Sequence, residues 1–170
     1  MTLPKNRERP RALPSISWNP WVDVKRYHDV SRLNVSFPYG KMPPYYQMLV
    51  RQSYCASVAY IDTLVGEILG ALNESAHASD TMLVFTSDHG WSLGEHGLWA
   101  KYSNFGVALR VPLIMRLAGW QQRARHQRIK RLVELVDLFA TLAELADLPV
   151  PDICSENSSL AEASHKNTAV

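Results

Sequence analysis

Residues 80–105, DTMLVFTSDHGWSLGEHGLWAKYSNF, constrain this chain most. Met82-Leu83-Val84-Phe85 is an apolar run too short for an amphipathic helix and rich in branched and aromatic residues, so it reads as a buried strand. It breaks at once into Thr86-Ser87-Asp88-His89-Gly90, which sets a carboxylate, an imidazole and a glycine at a strand's carboxyl end. In open α/β sheets, ligand groups converge in the crevice beyond those ends. The pattern therefore predicts a metal or anion site. Its competitor is a plain turn, with Asp88 bonding its own backbone.

The chemistry of the residue types narrows the site. Carboxylate oxygens suit hard cations such as calcium or magnesium, but one carboxylate is not a cation site, and more oxygens must come from elsewhere. His89 can serve as a ligand, as a donor to an anion, or as an acid/base group. Lys101 is a flexible point charge suited to sulfate or phosphate. His96 reads as a structural histidine and Glu95 as a surface or hydrogen-bonding group. Trp91 and Trp99 suit a core as readily as a sugar platform.

The remaining chain supplies the support. Residues 1–43 hold Pro4, Pro10, Pro14, Pro20 and Pro38 among several basic residues, which predicts an irregular arm with Trp18 and Trp21 as anchors. Over 45–72, Met48, Tyr54, Val58, Ile61, Val65, Ile68, Leu69 and Leu72 recur at helical spacing, with Pro44 suited to the first turn. Gly66 and Gly70 share a face of that helix and predict close packing on a sheet; Cys55, inside the apolar pattern, predicts a buried free thiol. Residues 111–117 read as a second strand, and Pro112 makes it an edge strand or one that starts late. Residues 132–145 form an amphipathic helix pattern ended by Pro149 and Pro151. A long helix feeding a strand suggests half of a βαβ unit. The expectation is an α/β portion over 44–150 and a disordered tail over 151–170, the whole a part of a larger doubly wound fold.

Composition excludes little. Net charge is +2, and the basic run over 121–131 (Arg123, Arg125, His126, Arg128, Lys130, Arg131) has no interleaved aromatics to stack bases, so it reads as a solvated loop and no nucleic-acid partner is expected. No run approaches the ~18 consecutive apolar residues of a membrane span, and no apolar leader is visible at the N-terminus. Two cysteines make no disulfide framework. Asn34, Asn73 and Asn157 each begin an Asn-x-Ser sequon, a weak sign of glycosylation.

Thr86-Ser87-Asp88-His89-Gly90-Trp91-Ser92-Leu93-Gly94-Glu95-His96-Gly97, followed by Trp99-Ala100-Lys101-Tyr102-Ser103-Asn104-Phe105, resembles the second signature block of the sulfatases. Trp18-Asn19-Pro20-Trp21, Leu33-Asn34-Val35-Ser36, Arg51-Gln52-Ser53-Tyr54, Tyr60-Ile61-Asp62-Thr63, Val111-Pro112-Leu113-Ile114 and residues 132–139 extend the resemblance over most of the chain. It implies an alkaline-phosphatase-like doubly wound α/β sheet with flanking helices, one calcium ion, and hydrolysis of sulfate esters by a formylglycine made from cysteine. By matched position, Asp88 and His89 would be calcium ligands and Lys101 would bind sulfate. The branch resembled is lysosomal and removes 2-O-sulfate from iduronate in sulfated glycosaminoglycans. The family's Cys-x-Pro-x-Arg motif surrounds neither Cys55 nor Cys154, so the remaining sulfatase segments would be needed to complete the site. Cys154 resembles a family cysteine whose disulfide partner would lie outside these residues, and Ala140 stands where many relatives have proline. The alternative is a shortened, non-catalytic paralogue that binds a sulfated glycan or is structural.

Overall fold

The computed structural model describes residues 2–18, 24–32, 42–119 and 128–151, with Lys25 described by its backbone alone. The chain divides into two units, Met1–Arg123 and Ala124–Val170.

In the first unit, a short helix α1 (His28–Ser31) precedes the long helix α2 (Pro44–Glu74). Strand β1 (Leu83–Thr86), the hairpin strands β2 (Ser92–Leu93) and β3 (Trp99–Ala100), helix α3 (Gly106–Leu109) and strand β4 (Leu113–Arg116) follow. Pro44 opens α2, where its missing N–H costs nothing, and the Ser75 hydroxyl closes the last turn on Leu72 O at 2.7 Å. β4 starts immediately after Pro112, which cannot donate to a ladder, as the sequence predicts. It pairs antiparallel with β1 in the register Leu83↔Arg116 to Thr86↔Leu113.

The α/β class holds, but among the described residues every strand pair is antiparallel, and α2 and β1 do not form half of a βαβ unit there. A βαβ unit needs a parallel strand before its helix, and the described residues before α2 carry only helical turns and irregular chain.

The core gathers Val24, Val30, Met42, Tyr46, Trp99 and Ala100, with Val50, Trp91 and Leu93 packed against it. Only the first two turns of α2 reach it. From Gln52 to Thr63 every α2 residue is exposed. Two expectations fall with this. Cys55 is an exposed thiol, because no described residue covers its turn of the helix. Gly66 and Gly70 face open space and support no close packing. By length and mean composition α2 is apolar enough to cross a membrane, although polar residues such as Arg51, Asp62 and Glu67 interrupt it and leave no run of ~18 consecutive apolar residues.

In the second unit, helix α4 (Asp137–Leu145) begins five residues later than the apolar pattern suggests. Leu132, Val133, Leu135 and Val136 are exposed, so helix there would gain no burial, whereas Asp137 suits a first turn by its charge. The helix ends before the prolines arrive. Asp147 turns left-handed at φ 57°, Leu148 N–H bonds Ala143 O at 2.9 Å, and Asp147 N–H bonds Glu144 O at 3.1 Å. This is a Schellman closure built on aspartate in place of glycine. The basic residues Arg123, Arg125 and His126, the sequons at Asn34 and Asn157, Trp21, Cys154 and the tail beyond Pro151 lie outside the described residues.

Candidate functional site

β1 delivers Thr86 to its end, and the chain turns sharply through Ser87-Asp88-His89-Gly90. Two local bonds make the turn: His89 N–H donates to Asp88 Oδ1 at 3.0 Å, and Ser87 Oγ donates to His89 O at 2.8 Å. The simple-turn reading is thus correct as far as it goes, since Asp88 does bond the backbone beside it. Its other oxygen lies beside the His89 ring, and the side chain is 80% exposed.

Gly90 fixes the next step. A Cβ there would lie 2.1 Å from Val107 O, so only glycine lets the loop approach α3. Gly90 N–H bonds Ala108 O at 2.8 Å and Trp91 N–H bonds Val107 O at 3.0 Å. The β2–β3 hairpin then folds the chain back, pairing Ser92 with Ala100 and Leu93 with Trp99. Glu95 Oε2 accepts from Leu93 N–H at 2.7 Å, and Arg51 reaches from α2 to Leu93 O at 2.7 Å. Ala100, left-handed at φ 70° and buried, throws the following residue out of the hairpin. That residue is Lys101, whose ammonium lands 2.8 Å from His89 Nε2.

The structure therefore brings Asp88, His89 and Lys101 together. His89 Nδ1 lies 2.8 Å from Gly90 O, and a carbonyl only accepts, so Nδ1 carries the proton. An ammonium only donates, so Nε2 is the bare nitrogen that receives Lys101. Asp88 Oδ2 at 3.2 Å from the same Nε2 is then a close charge neighbour of the lysine–imidazole pair and not its hydrogen-bond partner. Partial desolvation raises the Asp88 carboxyl, but the His89 N–H, the His89 ring and the Ser87 hydroxyl outweigh it and hold the carboxyl below its ordinary range.

The neighbouring residues fall into clear roles. Trp99 is buried in the core, and Trp91 packs against that core while stacking on His89 at 6.2 Å between centroids. His96 stacks on Phe105 at 4.1 Å and its backbone is pinned from both sides, by Asn6 O at 2.6 Å and by Trp18 Nε1 at 3.0 Å. Trp18 is thus an anchor of the arm, as expected. Asn73 stands exposed in the last turn of α2, with Arg116 Nη1 3.4 Å from its Oδ1. Sequence reasoning overlooked Ser87, the Gly90–Val107 approach and Arg51, although Ser87 and Gly90 stand inside the motif it singled out.

Calcium takes about six to eight oxygen ligands. Among the described residues no three His, Cys, Asp or Glu side chains gather at one place. Asp88 and His89 can thus hold such a cation only as part of a larger donor set. Thr86 Oγ1 and Ser103 Oγ, each two residues from the trio in sequence, are buried without a partner among the described residues, which leaves polar demand beside the trio unmet.

The chain is thus a mixed α/β one that carries an Asp-His pair at a strand end with a lysine folded back onto it. Residues 11–148 match the sulfatase family model, and the chain belongs to that family of sulfuric ester hydrolases. It is 46% identical over 178 residues to iduronate 2-sulfatase of Mus musculus, covering 91% of this chain and 32% of that protein. It is 53% identical over 119 residues to iduronate 2-sulfatase of Homo sapiens, covering 70% of this chain and 22% of that protein. Choline-sulfatase of Rhizobium meliloti is 43% identical over 65 residues, 38% of this chain and 13% of that protein. The chain thus spans about a third or less of the length of the curated relatives it matches.

Proposed function

We propose that this chain is a section of the catalytic domain of a calcium-dependent sulfatase resembling iduronate 2-sulfatase, acting in the lysosome on the 2-O-sulfate of iduronate in heparan and dermatan sulfate. The carrying observation is the convergence of Asp88 and Lys101 on His89 at the end of β1; the family match and the two iduronate 2-sulfatases support the substrate. Asp88 and His89 would hold the calcium, with oxygen ligands from the remaining sulfatase segments. When bound, the ion would supply positive charge against the sulfate.

Lys101 has three N–H donors, so its bond to His89 leaves two for a sulfate oxygen. There it would offset the charge that develops as the ester bond breaks. Gly90 and Ala100 hold the two halves of the trio in place. The nucleophile has no counterpart around Cys55 or Cys154, so the chain alone is expected to be inactive.

Two measurements test this reading. The purified, folded chain should not turn over 4-methylumbelliferyl iduronide 2-sulfate; turnover would refute the proposed inactivity. Inorganic sulfate should shift the His89 ring resonances in the wild type and fail to do so in Lys101→Met, and equal shifts in both would remove Lys101 from the site. The absent nucleophile motif also favours a second reading, a non-catalytic relative that binds a sulfated glycan. A reading frame upstream of Met1 that encodes Cys-x-Pro-x-Arg would decide against it.

A further inference from the structure

Lys101 meets His89 because the β2–β3 hairpin delivers it there, and that hairpin is too short to hold itself. Each strand has 2 residues. An isolated two-stranded hairpin is marginal in water even at greater length. Its geometry matters at the site, because Lys101 follows directly on the left-handed Ala100. A small rotation of β3 would swing the ammonium away from His89 Nε2, from which it stands 2.8 Å.

Side chains outside the ladder supply the hold. Gly94 N–H bonds Leu98 O at 2.9 Å. In an antiparallel ladder, pairs that exchange bonds alternate with pairs that do not. The next pair, Leu93 and Trp99, therefore exchanges none, and both backbone polar groups of Leu93 face away from β3. Glu95 Oε2 accepts the Leu93 N–H and Arg51 Nη1 donates to Leu93 O, each at 2.7 Å. The two side chains also face each other, with Arg51 Nη1 3.7 Å from Glu95 Oε1, and are 20% and 21% exposed. Together they cover the outer edge of β2 as the donor and acceptor of a third strand would. Arg51 is the last residue of α2 before its exposed run, so here the helix grips the hairpin. Its Nε is buried without a partner among the described residues, a cost that an arginine turned to solvent would avoid. Leu93 packs against the core that holds Trp99 and Ala100, so a shift of Leu93 passes to the residue that aims Lys101.

We propose that Glu95 and Arg51 are positioning residues: by taking the N–H and the C=O of Leu93, they keep the hairpin in the arrangement that sets Lys101 against His89. The inference rests on the reading of Lys101 as the sulfate contact and extends it to two residues that act through Leu93. The hydrogen bonds do this work. The Arg51–Glu95 ion pair, long and partly solvated, adds little.

The test uses the full 170-residue chain and reads the His89 ring signals by NMR, first without ligand and then with inorganic sulfate. Lys101→Met marks where those signals lie once the contact is lost. Glu95→Ala should move His89 toward that position and weaken sulfate binding about tenfold, the scale of one lost charge-assisted bond. Glu95→Gln keeps an acceptor for the Leu93 N–H and should behave as the wild type. Arg51→Met keeps the aliphatic stem, should act like Glu95→Ala, and decides the question if that variant does not fold. Tyr46→Phe separates positioning from stability, since it should lower the urea midpoint and leave His89 in place. Wild-type His89 signals in folded Glu95→Ala or Arg51→Met would overturn the positioning role. So would a Glu95→Gln as impaired as Glu95→Ala, or a Tyr46→Phe that moves His89 as far. If sulfate shifts nothing in the wild type, the reading of Lys101 falls, and the ligand-free signals still decide the roles of Glu95 and Arg51.

Discussion

At the scale of single residues, the most constrained pair lies away from the candidate site. Tyr46 is buried in the core and donates its hydroxyl to Asp29 Oδ2 at 2.6 Å. The hydroxyl bond from Tyr46 lowers the Asp29 carboxyl, against a smaller opposing effect of burial. Burial, followed by the bond to the carboxylate, raises the Tyr46 phenol well above its ordinary 10.0. The signs follow. A lowered carboxyl contributes stability that is present above its ordinary value of 3.8 and is lost as pH falls through the lowered value. A raised phenol contributes stability that is present below 10.0 and is lost only as pH rises through the raised value. Tyr46→Phe should therefore cost about 1 kcal/mol across neutral pH, the lower part of the range for a bond to a charged group because Asp29 is exposed. Urea denaturation at several pH values checks this. The wild-type advantage should shrink on acidification below 3.8. An advantage that grows on acidification would contradict the assignment.

At the scale of elements, the trio depends on one close approach. Gly90→Ala would drive a Cβ to 2.1 Å from Val107 O, and backbone cannot yield as a flexible side chain can. The bonds of Gly90 and Trp91 to α3 should stretch or break at a cost of about 1–3 kcal/mol, typical of overpacking. The urea midpoint should fall and the His89 ring signals should move, because His89 Nδ1 is held by Gly90 O. A variant with wild-type midpoint and spectra would show that the loop does not rely on that contact.

Elements whose signal was local were legible in the sequence. The four apolar residues before Ser-Asp-His-Gly, the proline before β4 and the 3.6-residue period of α2 each act within a few residues, and the structure places β1, β4 and α2 there. What depended on a remote surface was not legible. Cys55 and the paired glycines were expected against a sheet because their pattern is apolar, but a pattern names a face and not its partner. The start of α4 moved for the same reason. Within the site, Asp88 and His89 were readable as neighbours at a strand end. Spacing could not bring Lys101 to His89, since that takes the hairpin register and a left-handed alanine; only the family resemblance did so.

At the scale of the whole molecule, α2 presents a surface that nothing among the described residues covers. Tyr54, Val58, Ile61, Val65, Ile68 and Leu72 follow one another at alternating steps of four and three, the spacing of a helix seam. Val58 and Ile61 are each 52% exposed and Ile68 66%. On the sheet, Phe85 and Ile114 are register partners and both are exposed, so a second apolar patch stands open. A membrane does not suit the helix. Asp62 and Glu67 lie within it, and acidic side chains near the middle of a spanning helix cost up to about 3 kcal/mol each. At least two-thirds of the length of the two iduronate 2-sulfatases lies outside the part this chain matches, and a segment of that kind can bury both patches.

The prediction is a contrast between two contexts. In the chain alone, Val58→Ser, Ile61→Ser and Ile68→Ser should each change stability by no more than about 0.5 kcal/mol, as exposed substitutions do, and should reduce dye binding to apolar surface. Co-expressed with the remaining segments of a sulfatase domain, the wild-type chain should co-purify with them and the triple variant should not. Burial of such side chains is worth about 1.5–3 kcal/mol each, so three lost together abolish a modest association. Co-purification of the triple variant at wild-type yield would show that the seam is not the docking surface. Capture of the wild-type chain by neutral lipid vesicles instead would assign α2 to a bilayer.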